Sequence, residues 1–410
     1  MNFRNSIFTF VLLFLSLSIA HSSFSDTSKD GMETVLFKKG DLGYNTFRIP
    51  AILAAKDGTL LVFIEGRLNS DADHGRVDMF MRRSLDGGKT WEQPRLILSD
   101  GKNSCGNPQP ILDKATGDIV LFYYWANASD SETKIISGKS ADRRRAFIVR
   151  SSDNGKTWGN PKEITGDVLT PDMTWYVAGP GGGIQIEGGK YDGRMVSAFD
   201  TSILKKGRNI GEYYAGTAYS DDGGKTWKLG GIVDFIGGNE CQVAQIDADT
   251  LVLNMRVQAS PRKIFNRVVA VSKDGGESWS RAFEDDELPE PMCQGTFISV
   301  KNSPELAKSR GERTLVFCNP ADKHRRVNLT VKFSDTNSYK KWLDETLEKG
   351  KSDISRWHSS YCVCSSGSGY SDMAIMANGD IALVYERGDS DYPGEKIIFR
   401  IVKNPLSYRN

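Results

Sequence analysis

Histidine is scarce in this chain, and its scarcity excludes several kinds of catalytic site. The 410 residues include four histidines, and only His74, His324 and His358 lie beyond residue 22. A metal-dependent hydrolase with several histidine ligands is difficult to build from so few. A Ser-His-Asp hydrolase carries its serine in a G-x-S-x-G turn, and the sequence has no such pattern. Any chemistry is therefore expected to use carboxylates, tyrosines and arginines, with no metal and no organic cofactor.

The chain also lacks a charge excess and, beyond its N-terminus, a long apolar run. The formal net charge is +1, so no global field would hold nucleic acid, and we expect no nucleic-acid partner. An anionic ligand would need a local cluster of cations. No later apolar run is long enough to span a membrane.

The N-terminus has the features of a secretory signal. Arg4 precedes an apolar core from Phe8 to Ile19, and small residues occupy positions 18 and 20. A membrane anchor would need a longer run. We expect residues 1–22 to be a signal peptide and the protein to be secreted or exposed outside the cell, with periplasmic, lysosomal or surface-attached locations left open. The six later cysteines permit disulfides, although their spacing indicates no zinc site.

One eight-residue pattern, S-x-D-x-G-x-[TS]-W, recurs along the chain. Clear copies occupy 84–91, 151–158, 220–227 and 272–279, and a degraded copy is predicted at 334–342. Serine and aspartate side chains can bond nearby backbone amides, glycine supplies the positive φ of a tight turn, and tryptophan can pack onto a sheet. Each copy therefore predicts a turn between two antiparallel strands.

The repeat spacing predicts the architecture. The four aspartates lie 67, 69 and 52 residues apart, which suits small sheets arranged around an axis. Together with the degraded copy and a strand-rich stretch at 370–402, the count predicts an all-β, six-bladed β-propeller. One segment, 339–349, has the spacing of a short amphipathic surface helix.

Six further segments carry polar residues in recognisable patterns. They are Phe-Arg-Ile-Pro at 47–50, Glu-Gly-Arg at 65–67, Asn-Glu at 239–240, Arg-x-Asn-x-Thr-Val at 326–331, Gly-Ser-Gly-Tyr at 367–370 and Val-Tyr-Glu at 384–386. With the repeats, which resemble Asp boxes, they make nearly the whole chain similar to the exo-α-sialidase (neuraminidase) family of glycoside hydrolases. Because non-enzymatic Asp-box proteins exist, the repeats alone do not determine function.

The resemblance implies a set of substrate-binding residues. Three arginines would grip the carboxylate of a sialic acid, since guanidinium forks bind carboxylates through paired, charge-assisted hydrogen bonds. Arg67 would lie beside the sugar, and Asn107 would contact its N-acyl or neighbouring groups. Glu386 would orient the first arginine. The three arginines are Arg48, Arg256 and Arg326.

The resemblance also implies the catalytic residues. Tyr370 would be the nucleophile, Glu240 the base that draws its proton, and Asp73 the general acid. A neutral tyrosine avoids the repulsion that a carboxylate nucleophile would meet from the substrate's own carboxylate. Asp71 remains an alternative acid. Arg325 remains an alternative to Arg326, because adjacent residues on a strand point to opposite faces.

These residues imply an exo-α-sialidase that removes terminal sialic acids with retention from glycoproteins, gangliosides and oligosaccharides. Residues 33–410 would form the catalytic domain. A trans-sialidase would share the same residues, whereas a non-catalytic lectin on this fold should lose Tyr370, Glu240 or Asp73. The sequence leaves open the linkage preference, the sialic acid variant and the oligomeric state.

Overall fold

The computed structural model describes residues 33–390 and 392–404, and the predicted signal peptide lies outside them. The first strands are β1 Thr34–Lys38, β2 Thr46–Ala54, β3 Leu60–Arg67, β4 Val77–Ser84, β5 Arg95–Leu98, β6 Ser104–Leu112, β7 Ile119–Ala126, β8 Arg145–Ser151 and β9 Lys162–Glu163. The middle strands are β10 Met173–Ala178, β11 Ile184–Gln185, β12 Met195–Ile203, β13 Glu212–Ser220, β14 Lys228–Ile232, β15 Gly238–Asp247, β16 Thr250–Val257, β17 Asn266–Ser272 and β18 Phe283–Pro289.

The remaining elements complete an all-β fold, as predicted. The last strands are β19 Thr296–Lys301, β20 Arg313–Pro320, β21 Val327–Asp335, β22 Ser359–Ile375, β23 Ile381–Arg387 and β24 Lys396–Val402. The helices are α1 Glu132–Ile136, α2 Thr165–Val168, α3 Pro304–Arg310 and α4 Thr336–Lys349, with a 3-10 turn at Asp41–Gly43.

Apart from β11, which pairs with β12, the strands of the described residues fall into antiparallel runs of four. Run 1 is β2–β5 and run 2 is β6–β9; run 3 is β10, β12, β13 and β14; run 4 is β15–β18. Run 5 is β19, β20, β21 and the first half of β22, and run 6 is the second half of β22 with β23, β24 and β1. Strand β1, the first in the chain, therefore forms the outer edge of the last run, where it pairs with β24.

Apolar clusters lie between consecutive runs. Branched and aromatic side chains on one face of each run pack against those of the next run. Five such clusters join runs 1 and 2, 2 and 3, 3 and 4, 4 and 5, and 5 and 6. A further cluster packs run 6 against run 1 through Val384 and Phe399 on one side and Ile52 and Val62 on the other. Each run is thus buried on both faces, which explains why most of its strands are apolar on both sides.

The four predicted Asp boxes form one repeated turn between the third and fourth strands of runs 1–4. In each copy the serine hydroxyl donates to the aspartate Oδ1 at 2.8–2.9 Å and accepts from a glycine N–H at 2.8–2.9 Å. The same Oδ1 accepts the N–H of the threonine or serine four residues on, at 2.9 Å. The hydroxyl of that threonine or serine donates to the other aspartate oxygen. Against the opposing effect of burial, these bonds lower the pKa of Asp86, Asp153 and Asp222 to about 2.

The Asp-box tryptophans join neighbouring runs. Trp91 in run 1 packs edge-on against Phe399 of run 6, and Trp227 in run 3 packs against Phe122 of run 2, with ring centroids 5.0 and 4.5 Å apart. These two tryptophans therefore pack on the run before their own; the pattern predicted that tryptophan packs onto a sheet but not onto which one.

The predicted fifth copy at 334–342 is wrong as a turn. The chain there enters helix α4, and the Asp335 side chain caps it by accepting the Ser338 N–H at 2.8 Å. Without the glycine of the pattern, the segment lacks the residue that closes the other four turns. Helix α4 confirms the helix predicted at 339–349 and buries Tyr339, Trp342 and Leu343.

Candidate active site

Tyr370, Glu240 and Arg256 form a buried hydrogen-bonded group where β22 approaches β15 and β16. The Tyr370 hydroxyl donates to Oε1 of Glu240. Nη1 of Arg256 lies 2.5 Å from Oε2 of Glu240 and 3.0 Å from the Tyr370 hydroxyl oxygen. The phenol is thus in contact with both a proton acceptor and a cation.

The electrostatics around Tyr370 keep its phenol neutral. Burial raises the pKa of Tyr370 well above its ordinary value, and the charge of Glu240 raises it further, whereas Arg256 and Arg326 oppose the shift. Ionisation would therefore accompany transfer of the proton to Glu240 rather than precede it.

The three predicted arginines lie around this tyrosine. The Cζ atoms of Arg48 and Arg326 are 5.3 and 5.6 Å from the Tyr370 ring centroid, and Arg256 bonds its hydroxyl. Nη2 of Arg326 also donates to the Met292 carbonyl at 2.9 Å. Three guanidinium groups from β2, β16 and the start of β21 therefore converge at one place.

Of the two adjacent arginines at 325 and 326, only Arg326 packs against Tyr370. Arg326 is partly buried, whereas Arg325 is exposed. Both residues lie just before β21, and the chain there turns Arg326 toward Tyr370 and leaves Arg325 at the surface.

Glu386 joins Arg48 to the strand that carries Tyr370. Its Oε1 accepts from Nε of Arg48 at 2.6 Å and from the Ile49 N–H at 2.9 Å, and its Oε2 accepts the Tyr370 N–H at 3.1 Å. A Cβ at Gly369 would lie 2.3 Å from Oε2 of Glu386, so the glycine before Tyr370 is required by this approach.

A bulge in β2 directs Arg48 into the site. The pairing of β2 with β3 shifts register between Arg48 and Ala51, and Ile49 has a φ of 58°. A left-handed backbone is costly for a β-branched residue and persists only where surrounding contacts determine it. The hydrogen bond from the Ile49 N–H to Glu386 is such a contact.

Arg67 organises the carboxylates beside this group. Its Nε and Nη2 lie 3.1 and 3.0 Å from Oε2 of buried Glu65, and its Nη1 lies 2.6 Å from Oδ1 of Asp73. The other Glu65 oxygen accepts the Asn107 N–H at 2.6 Å. Asn107, at the bulge of β6 with a φ of 54°, is thereby held beside Arg67.

The two candidate acids on the loop after β3 face different partners. Oδ2 of Asp71 accepts the Tyr392 hydroxyl at 3.0 Å, and its backbone carbonyl accepts Nη1 of Arg67 at 2.6 Å. The Asp73 carboxylate faces Arg67 and remains about two-thirds exposed at its side chain. The geometry therefore favours Asp73 as the carboxyl that a ligand beside the arginines would meet.

The charge state of Asp73 depends on the arginines around it. Partial desolvation by the residues around it would raise its pKa, but Arg67, Arg48 and Arg144 together lower the pKa of Asp73 below its ordinary value. The carboxyl is therefore ionised at neutral pH when no ligand is bound, and an anionic ligand on the arginines would offset part of that shift.

Three residues near the site were missed by sequence reasoning. Cys293 is buried against Tyr370 and Ile49, Asp200 lies beneath Glu240, and Arg144 reaches the loop of Asp73. The only sequence signal was the run of three arginines at 143–145, which does not reveal which of them is buried. A single cysteine in a loop, such as Cys293, and a single aspartate in a strand, such as Asp200, carry no signal of this kind.

Comparison with known proteins identifies a family for this chain. The sequence pattern of the BNR repeat-like domain matches residues 58–383. An exo-alpha-sialidase of Arthroderma benhamiae is 30% identical over 311 residues, which cover 72% of this chain and 68% of that protein. The chain belongs to the sialidase family.

Other sialidases extend the similarity. A sialidase of Bacteroides fragilis is 33% identical over 309 residues, covering 72% of this chain and 54% of that protein. The solved structure of a Hadza microbial sialidase, Hz136, has a TM-score of 0.74 at 27% identity, covering 91% of this chain and 68% of that one. The chain spans about half the length of the Bacteroides sialidase and of a Micromonospora viridifaciens sialidase, 54% and 52%. Among the described residues, none of the helices has the length and apolar character needed to cross a bilayer.

Proposed function

We propose that this sialidase-family chain is a retaining exo-α-sialidase acting on sialylated glycans: glycoproteins, gangliosides and oligosaccharides. One observation carries the proposal. Three guanidinium groups surround a buried tyrosine whose hydroxyl donates to a glutamate. This arrangement suits a sugar that bears a carboxylate on its anomeric carbon.

The arginines would hold the substrate carboxylate. Arg48, Arg256 and Arg326 together supply several N–H donors in rigid forks, and such forks bind carboxylates more specifically than lysine does. Glu386 would keep Arg48 oriented when the site is empty, so that little reorganisation is needed on binding. Arg67 and Asn107 would contact the ring substituents.

Tyr370 would then attack the anomeric carbon. Its phenol oxygen forms the new bond, its proton passes to Glu240, and the bond to the leaving oxygen breaks as Asp73 protonates that oxygen. A tyrosine nucleophile is the established sialidase exception to the two-carboxylate scheme, so its assignment here follows the family.

Water would complete the reaction. Asp73, now ionised, takes a proton from the water that attacks the anomeric carbon, and the Tyr370 oxygen leaves and regains its proton from Glu240. Two displacements at one carbon retain its configuration. Before the first step Asp73 must carry a proton, and the substrate carboxylate favours this by offsetting the charge of the arginines.

The fold proposed for residues 33–410 is a six-bladed β-propeller, with each run of four strands as a blade. The six apolar clusters between consecutive runs and the pairing of β1 with β24 support a closed ring. The first strands of the runs would lie at the axis and bring Arg48, Glu240 and Tyr370 together. With a cleaved signal at 1–22, which lies outside the described residues, the enzyme would act outside the cell.

The experiment is hydrolysis of a fluorogenic 4-methylumbelliferyl sialoside by the wild type and by Tyr370→Phe. We expect wild-type turnover and a loss of at least about 100-fold in the variant, because phenylalanine cannot form the covalent bond. Tyr385→Phe is the matched control, since Tyr385 is a buried tyrosine of the same sheet whose hydroxyl bonds Glu33 at 2.7 Å, not Glu240. Proton NMR of the first anomer released tests retention. Equal rates for wild type and Tyr370→Phe would refute the nucleophile.

A further inference from the structure

Arg144 is a buried arginine beside the site, enclosed by two aromatic rings. Its Cζ lies 3.9 Å from the Tyr124 ring centroid and 3.5 Å from the Trp175 ring centroid, and the residue is 4% exposed. Both rings can stabilise the cation, and their faces restrict the guanidinium to one plane.

The flanking arginines have different surroundings. Arg145 lies over Trp125 at 4.0 Å and pairs with Glu163 on the outside of run 2. Arg143 donates to backbone carbonyls of Thr170 and Met173. Only the middle arginine is directed toward the loop that carries Asp73.

Arg144 binds the backbone of the predicted acid. Its Nη2 donates to the Asp73 carbonyl at 3.2 Å, so the residue just before β8 of run 2 holds a loop that belongs to run 1. Arg67 makes the other contacts, to the Asp73 carboxylate and to the Asp71 carbonyl. Because the Asp73 side chain is itself largely exposed, these arginine contacts determine where its carboxyl lies.

Trp175, one of the two rings that enclose Arg144, is itself held by a buried aspartate. Nε1 of Trp175 donates to Oδ2 of Asp200 at 3.2 Å, and the same oxygen accepts Nδ2 of Asn239 at 3.1 Å. Burial raises the pKa of Asp200 well above its ordinary value, and nearby Glu240 raises it further. Asn239 is the neighbour of Glu240, so the anchor of Trp175 also contacts the strand of the proposed base.

The arrangement is costly if it serves stability alone. Burying a guanidinium is expensive unless its donors are satisfied, and within the described residues Nε of Arg144 donates no hydrogen bond. An apolar side chain between Tyr124 and Trp175 would fill the same space without that cost.

We propose that Arg144 is a positioning residue for the general acid, and that it holds the Asp73 carbonyl so that the carboxyl reaches the leaving-group oxygen of a bound sialoside. This inference rests on the proposed function. It does not require Arg144 to touch the substrate. It predicts a defect confined to the step that general acid catalysis assists.

The test compares two leaving groups. An alkyl aglycone, as in sialyllactose, needs protonation to depart, whereas a 4-nitrophenyl aglycone leaves with little help, since the benefit of general acid catalysis follows the basicity of the leaving oxygen. We expect Arg144→Met to lower kcat/KM for sialyllactose by about 10-fold or more, and for the 4-nitrophenyl sialoside by less than about threefold. Arg145→Met is the matched control and should change neither value more than about twofold.

Arg144→Lys is the second variant, in case methionine prevents folding. Lysine keeps the charge but lacks the planar fork that fits between two rings, so the same dependence on the leaving group is expected. Equal losses on both substrates would identify a structural role and overturn the inference, as would wild-type rates in both variants. Inactivity of the wild type on both substrates would instead refute the proposed function, and this inference with it.

Discussion

Replacing Glu386 by glutamine tests the physical basis of the site most directly. Glu386 is buried and accepts three hydrogen bonds, from Nε of Arg48 and from the N–H groups of Ile49 and Tyr370. Glutamine has nearly the same shape but no charge, and its amide nitrogen cannot accept. If its oxygen faces Arg48 and Ile49, its NH₂ group faces the Tyr370 N–H, and two donors oppose each other.

The expected loss follows from these contacts. Removing one partner of a buried ion pair costs about 3–5 kcal/mol, because the other charge is left uncompensated. Glutamine retains two of the three hydrogen bonds, so we expect the free energy of unfolding to fall by about 2–4 kcal/mol. We also expect kcat/KM for an aryl sialoside to fall by about 10–100-fold, because Arg48 and Tyr370 lose their common support.

Urea unfolding followed by tryptophan fluorescence measures the first quantity, and initial rates measure the second. Glu187→Gln is the matched control. Glu187 accepts from Arg313 at 2.7 Å and also pairs with Lys114, but its side chain is one-third exposed, so solvent screens both pairs and its loss should cost only about 1 kcal/mol. A Glu386→Gln variant as stable and as active as Glu187→Gln would show that the Arg48 ion pair does not hold the site together.

Three further predictions concern replacements of single aspartates. Asp73→Asn should abolish most sialyllactose hydrolysis. Asp71→Asn, which changes the contact with Tyr392, should reduce hydrolysis by less than about fivefold. The reverse order of the two losses would assign the acid to Asp71. Asp153→Ala should lower the urea midpoint at pH 7. The difference from the wild type should shrink as pH falls toward 2, because the pKa of Asp153 is about 2 and its carboxylate stabilises the fold only while it is ionised. A difference that does not change with pH would contradict this. Burial raises the pKa of Asp372 to about 7, so the folded protein holds a proton that the unfolded chain releases above about pH 4. The free energy of unfolding should therefore fall as pH rises from 4 to 7, by up to about 4 kcal/mol. Asp372→Asn should remove that part of the slope between pH 4 and 7, and an unchanged slope would refute it.

The repeated turns were predictable because every contact that forms them is local. Ser84, Asp86, Gly88 and Thr90 bond one another within seven residues, and the other three copies repeat the distances. The failure at 334–342 has a local cause as well, since a segment without the glycine caps a helix instead. The partner of each tryptophan was not predictable, because Phe399 lies 308 positions from Trp91 in the sequence.

The candidate site also has one part that local sequence could predict and one part that it could not. Sequence patterns predicted Arg48, Glu240 and Tyr370, and the family resemblance added Arg256; the structure brings these four side chains together. Neither the patterns nor the resemblance identified Arg144, because its two rings come from β7 and β10 and its acceptor from the loop after β3.

By itself, the sequence determined the strand content, the four turns, the family and most of the polar residues that the site brings together, because each depends on side chains close together in the chain. Only the tertiary structure decided which arginine of 325 and 326 meets Tyr370, which aspartate of 71 and 73 faces the arginines, and that Arg144 is buried beside them. Those choices depend on burial and on contacts between strands of different runs. They are settled by packing between distant segments, which local sequence patterns do not encode.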